Sequence, residues 1–206
     1  MTGGTRRQIL EAAVTLAYAK GLSRVTTKAL ARATGLSEGA LYRHFEHKED
    51  VFLAALEENL PIMAEAFGAA TAGSGSVKAN LAAILRAALR YYEQIVPLGA
   101  SFFADVELLG RMRALMQEIG GPQRLFERVA TYVAEEQSLG RIAPGVPALD
   151  IASALLGPAF QRAFLRKLLG DAPDARADRR FAEGQLRILL PGILPPAGPA
   201  APGDGS

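Results

Sequence analysis

The chain has no cysteine among its 206 residues. That excludes disulfides, thiolate catalysis and cysteine-ligated zinc in one step. It has only two histidines, His44 and His47. No phosphate loop, dinucleotide fingerprint or metal-ligand cluster occurs, and the middle of the chain is poor in paired carboxylates. Neither a cofactor nor a metal is therefore expected, and an enzyme is not the expected function. No window holds 18 consecutive apolar residues, which excludes a membrane-spanning helix. The N-terminus, MTGGTRRQILEAAV, lacks the apolar run and cleavage site of a signal peptide, so a cytoplasmic location is expected. No stretch alternates with period two, so no strands are expected.

Half of the residues are hydrophobic, enough for a substantial core. Net charge is +2 and unevenly placed. Residues 1–50 hold 8 Lys/Arg against 5 Asp/Glu, and the remainder holds 15 against 16. A basic excess at one end suits a polyanion-binding segment. Apolar residues Ile9, Ala12, Ala13, Leu16 and Ala17 mark an amphipathic helix from Thr5 to Lys20, which Gly21 is placed to stop. Arg6 and Arg7 open it, either as an arm for phosphates or as a solvated end.

The stretch Thr26 to Val51 carries the clearest signal. Thr26 is a good N-cap for a helix from Thr27 to about Thr34, with Leu30 and Ala31 inward and Ala33 small enough for close packing. Gly35 stands where the chain must turn sharply and needs positive φ. Ser37 caps a second helix from Glu38 to about His44, whose stripe is Leu41 and Phe45. Two helices around a tight Gly-containing turn form a helix-turn-helix, which lays its second helix in the major groove of DNA. Glu38, Gly39, Ala40, Tyr42, Arg43 and His44 are then left outward. Tyr42 and His44 reach phosphates, and Arg43 reaches a phosphate or a guanine edge.

In Thr26-Thr27 and ALARATGLSEGALYRHFEHKEDVFLAAL the chain resembles the TetR family of transcriptional regulators. The Gly-Leu-Ser turn, the Tyr-x-His-Phe run and Lys48 three residues after Phe45 are the most specific features, and the likeness covers about Arg6 to Leu56. It implies that Tyr42, His44 and Lys48 bind operator phosphates, that Glu38, Gly39, Ala40 and Arg43 sit nearest the bases, and that Thr26, Thr27, Lys28 and Ser37 complete the DNA-facing set. Two positions depart from the family pattern. His47 stands where a small or Ser-type residue commonly caps the fourth helix, and acidic Glu38 opens the recognition helix. Glu38 has two readings: it accepts from a cytosine amino group, or it repels the backbone and faces solvent.

The fold expected is all-α, with about nine helices. Residues 1–50 form the helix-turn-helix domain, 51–190 a larger helical effector-binding and dimerisation domain, and 191–206 a disordered Pro/Gly-rich tail. A helix from Lys48 to about Phe67 contains Pro61, which either only curves it or helps convert ligand binding into movement of the DNA-binding end. Helices are expected at Val77–Val96 (stopped by Pro97), Leu98–Ile119 (weakest at Gly110), from Pro122 to about Leu139, at Ala148–Leu169, and at Asp178–Leu190 (ended by Pro191). The resemblance implies a palindromic operator, a homodimer and a small effector. Bulky, adaptable residues on the middle helices are candidates for an apolar or aromatic ligand: Met63, Phe67, Tyr91, Phe102, Phe103, Met112, Met116, Phe126 and Phe160. Taken singly, each is more simply read as core. Gln94 and Glu107 are the candidate polar anchors. Ala148–Leu169 is apolar over an arc too wide for one neighbour. Ile151, Leu155, Leu156, Ala159, Ala163 and Phe164, with Leu186 and Leu189 of the last helix, are the expected dimer interface; an intramolecular core is the alternative. The function expected is a homodimeric repressor released from its operator by an apolar effector. The alternative is a ligand-independent DNA-binding protein controlled by a protein partner or by concentration.

Overall fold

The computed structural model describes residues 2–20, 24–45, 47, 50–55, 70–103, 106–119 and 121–195, and among these there is no strand. Near the N-terminus lie α1 (Thr2–Lys20), α2 (Thr27–Thr34), α3 (Glu38–Tyr42) and a helical stretch at 50–55, called α4 here. Beyond them come α5 (Val77–Phe102), α6 (Val106–Ile119), α7 (Gln123–Ser138), α8 (Ala148–Leu169) and α9 (Ala175–Ile193).

Two apolar clusters hold the chain together. The first joins α1–α4 through Ile9, Ala13, Leu30, Leu41, Phe45 and Phe52, and it takes in Leu108 from α6. The second joins α5, α7, α8 and α9 through Leu81, Leu85, Val129, Leu155, Leu186 and others. The closest packing is of α5 on α8 and of α7 on α8. Each fully buried Leu or Ile in these clusters contributes about 1.5–3 kcal/mol.

The second cluster also encloses charge. Arg166 is 7% exposed and pairs with Glu93 of α5 and Asp178 of α9. Hydrogen bonding to Asp178 raises its pKa above the ordinary value. Arg162 adds a 3.2 Å bond to Asp178 and lies 4.8 Å from the Phe181 ring centre. Glu136 is fully buried; it accepts from the Tyr132 hydroxyl at 2.9 Å and faces Arg141 Nε at 3.2 Å.

Four expectations are corrected. Pro97 does not stop a helix but lies inside α5. Pro191 does not end α9, which runs on to Ile193. A proline removes the bond its own N–H would make and its ring crowds the carbonyl four residues back, a cost that packing can outweigh. Pro191 lies on the exposed side, where solvent takes the freed carbonyl, while Ile193 is 2% exposed and accepts the Ala143 N–H at 2.7 Å. Packing of the last turn therefore outweighs the lost bond. α9 also begins early, because Asp174 accepts from the Arg176 and Ala177 N–H groups. Finally, Ala33 is exposed rather than packed. Pro61 and residues 196–206 lie outside the described residues, and with them the expected kink and most of the expected tail.

Candidate nucleic-acid interface

Local chemistry sets the ends of both short helices. The Thr26 side chain accepts from the Ala29 N–H at 3.1 Å and starts α2. Gly35 ends it at φ 70°, a left-handed position where a Cβ would be strained. Leu36 N–H closes the turn on the Ala31 carbonyl at 3.0 Å. The Ser37 side chain accepts from the Ala40 N–H at 3.2 Å and starts α3. Each such cap contributes about 1 kcal/mol. The regular helix ends at Tyr42, two residues sooner than expected, and Arg43 and His44 follow in a turn.

Leu41 and Phe45 are buried and fix α3 against α1 and α2. Arg6 lies 5.6 Å from the Phe45 ring centre, so α1 is tied to the end of the same segment by its cation. Arg7 pairs with Glu11 in the open, a weak contact. On the other side Glu38, Gly39, Tyr42 and Arg43 are exposed, and Ala40 and His44 are half-buried. Tyr42 is 54% exposed, high for an aromatic ring. A Cβ built on Gly39 meets nothing within 4 Å. Glycine in a helix costs about 1 kcal/mol against alanine, and among the described residues nothing within 4 Å requires it there. Its absent side chain leaves room for something outside.

Of the expected DNA-facing residues, Thr26, Lys28, Ser37, Glu38, Gly39, Tyr42 and Arg43 are exposed, and Thr27 is half-buried with its hydroxyl donated to Glu38 at 2.9 Å. Lys48 lies outside the described residues. Arg32, one turn beyond Lys28 on α2, is also exposed. The four-residue Lys-to-Arg spacing was its signal in the sequence. Where His47 replaces a capping residue, Asp50 supplies the cap: its carboxylate takes the His47 N–H at 2.7 Å. The same carboxylate pairs with Arg111 of α6. That pair spans 61 positions, so no local pattern announced it.

Those expected ligand-lining residues that are described fall into different surroundings. Met112 and Met116 pack on the first cluster, whereas Tyr91 and Phe126 belong to the second. Phe103 is 73% exposed. Met63, Phe67 and the side chain of Phe102 lie outside what is described. Gln94 and Glu107 are on the surface. Burial pushes the Tyr91 hydroxyl up to about 12. Two open clefts occur in the second cluster's surroundings. One of ≈ 210 Å³ is lined by Ala70, Ile84, Arg128, Thr131, Tyr132 and Glu135. The other, ≈ 280 Å³, lies between the end of α8 and the start of α9 beside Arg162 and Arg166.

The residues expected to form a dimer interface divide sharply. Ile151, Leu155, Leu156, Ala159, Ala163 and Leu186 are 0–1% exposed inside the single chain. They face its own core, and the intramolecular alternative describes them. Leu189 is half-buried, and Phe164 is 42% exposed. Phe164 stacks beside exposed Phe160 with ring centres 6.4 Å apart, and Leu149, Leu165, Leu168 and, on α9, Ile188 are exposed as well.

Residues 9–55 match the family described as bacterial regulatory proteins, tetR family. Nucleoid occlusion factor SlmA of Haemophilus ducreyi is 47% identical over 53 residues, 25% of this chain and 26% of that protein. The match thus spans about a quarter of that relative's length. The HTH-type transcriptional repressor AcnR of Corynebacterium glutamicum is 41% identical over 61 residues, 30% of this chain and 32% of that one. A solved structure described as a TetR-family transcriptional regulator, from Mesorhizobium loti, superposes with a TM-score of 0.76 over 93% of this chain and 98% of that chain, at 19% identity. At that identity the likeness is one of fold. Residues 9–55 thus match the N-terminal domain of the TetR family, and the helices of the chain take the fold of a solved TetR-family regulator.

Proposed function

We propose that the protein is a homodimeric, sequence-specific DNA-binding regulator, a cytoplasmic repressor of transcription at a palindromic operator. The exposed part of α3 supports this reading: among the described residues nothing crowds a side chain at Gly39, and Tyr42 and Arg43, three and four positions on, are exposed. Small residues admit the helix to the groove floor, Arg43 reaches a base edge or phosphate, and Tyr42, His44 and Lys48 hold phosphates. Residues 1–50 act as the reading domain and 51–190 as the dimerising domain. The second subunit covers the exposed stripe of α8 and α9, Phe160, Phe164, Leu168 and Ile188, rather than the buried one. Phe164→Glu is expected to leave a folded monomer by sedimentation; an intact dimer would move the interface elsewhere.

Selection of bound duplexes from a random DNA library tests the whole reading. A palindrome with half-sites about 10 base pairs apart is expected. Recovery of non-specific sequences alone would overturn it.

Release by a small, largely apolar effector is the leading form of control. A second form, control by a protein partner or by concentration, has its own support. The bulky residues scatter between two clusters, both described clefts fall below the roughly 300–1,000 Å³ of ordinary ligand sites, and one relative is named a nucleoid occlusion factor. Titrating the selected duplex with apolar and aromatic compounds separates the two. Release at saturating compound supports an effector, and release only on dilution of the protein supports the second form.

A further inference from the structure

One hydrogen bond on the exposed side joins α2 to α3 across 11 residues: the Thr27 hydroxyl donates to Glu38 Oε2 at 2.9 Å. Thr26 uses its own hydroxyl oxygen to cap α2, so Thr27 is the first residue of that helix. Ser37 caps α3, so Glu38 is the first residue of that one, and it is exposed. The carboxylate is thus pinned by one oxygen beside Gly39, where no side chain fills the space in front. Resting on the DNA-binding reading above, we propose that Glu38 selects a cytosine in each half-site and that Thr27 is its positioning residue.

The chemistry is that of an acceptor with nothing to donate. An ionised carboxylate accepts only. In the major groove, guanine presents two acceptors and thymine an acceptor beside a methyl group. Adenine sets an acceptor next to its amino donor, and cytosine presents its amino group alone. Cytosine is the base that a fixed carboxylate matches without a repelling neighbour. A glutamate near DNA phosphates is otherwise repelled, and an unfixed one swings away. The Thr27 hydroxyl holds one oxygen and leaves the other for the base. Thr27 thereby spends its proton inside the protein and is removed from the phosphate-binding set.

The probe is the random duplex library, followed by the duplex that the full-length wild-type protein selects and its single-base variants. Wild type is expected to require cytosine at one position per half-site, with about tenfold weaker binding when it is replaced. Glu38→Gln is expected to move the preference at that position alone from cytosine to adenine, because an amide both donates and accepts. Thr27→Val is expected to cut the cytosine preference severalfold with the other positions unchanged, and Thr27→Ser to restore it. A merely structural role for Thr27 would lower affinity for every duplex by one common factor. If Glu38→Gln instead tightens binding to all duplexes equally, with wild-type base preferences, Glu38 faces solvent and the inference is overturned. A wild type that selects no sequence fails the DNA-binding reading itself, whereas one that selects a palindrome indifferent to both substitutions fails only this inference.

Discussion

The DNA-facing end and the larger helical body are built by opposite means. In the first, α2 has 8 residues and α3 has 5. Helices this short are not stable alone, so side-chain caps at Thr26 and Ser37 and a left-handed Gly35 set their limits. In the second, α5 has 26 residues and α8 has 22, and each carries a proline within it. Neither α7 nor α8 has a side-chain cap at its start. Short elements depend on local chemistry at both ends; of the long ones, α5 and α9 are capped by Ser76 and Asp174, yet packing carries both through a proline.

Four substitutions sharpen or break this contrast. The largest effect is expected from Arg166→Ala, which takes a buried cation from the partly buried Glu93 and Asp178 carboxylates, the second of which keeps Arg162. Unfolding stability should fall by about 3–5 kcal/mol, measured by urea titration of helical circular dichroism. A loss under about 1 kcal/mol would show that the body is held by apolar packing alone. Next is Arg43→Ala, which should weaken operator binding by about 1–3 kcal/mol if Arg43 contacts a base. Mobility shifts at fixed salt measure it, and unchanged affinity would remove Arg43 from the interface.

Ser37→Ala should cost about 1 kcal/mol, and Ser37→Gly much less. Equal effects would mean that packing, not the cap, starts α3. The smallest effect concerns Asp174, whose carboxyl is held below the usual carboxylate range by the Ala177 and Arg176 N–H groups. Its contribution is complete above the unfolded carboxylate pKa and drains away as pH falls through the lower folded value. Asp174→Asn keeps an acceptor without the charge, so the acid limb of the stability curve should become shallower. An unchanged acid limb would assign the acid sensitivity to other carboxylates.

The same contrast explains what the sequence disclosed. Gly35, Ser37 and Thr26 were legible because a turn or cap needs only its own few residues. Pro97 and Pro191 were misread as stops because a local rule was outvoted by distant packing, at Ile193 for instance. The α8 residues expected at a dimer interface fill the chain's own core instead, and the sequence did not separate the two because both faces of α8 are apolar. Ile151, Leu155 and Ala159 line one face, and Leu149, Phe160 and Leu168 line the other, so periodicity alone does not tell inside from outside. Asp50–Arg111 and Thr27–Glu38 join positions that no short window contains.

Leu108 and Arg111 also bear on modularity. Both lie on α6, yet the first fills the core of the DNA-facing end and the second holds the carboxylate that caps the chain at His47. Residues 1–55 transplanted onto another regulator would arrive with an unfilled slot and an unanswered charge. A working chimera therefore needs the native α6 residues carried along with α3, even though more than 60 positions separate them in the chain.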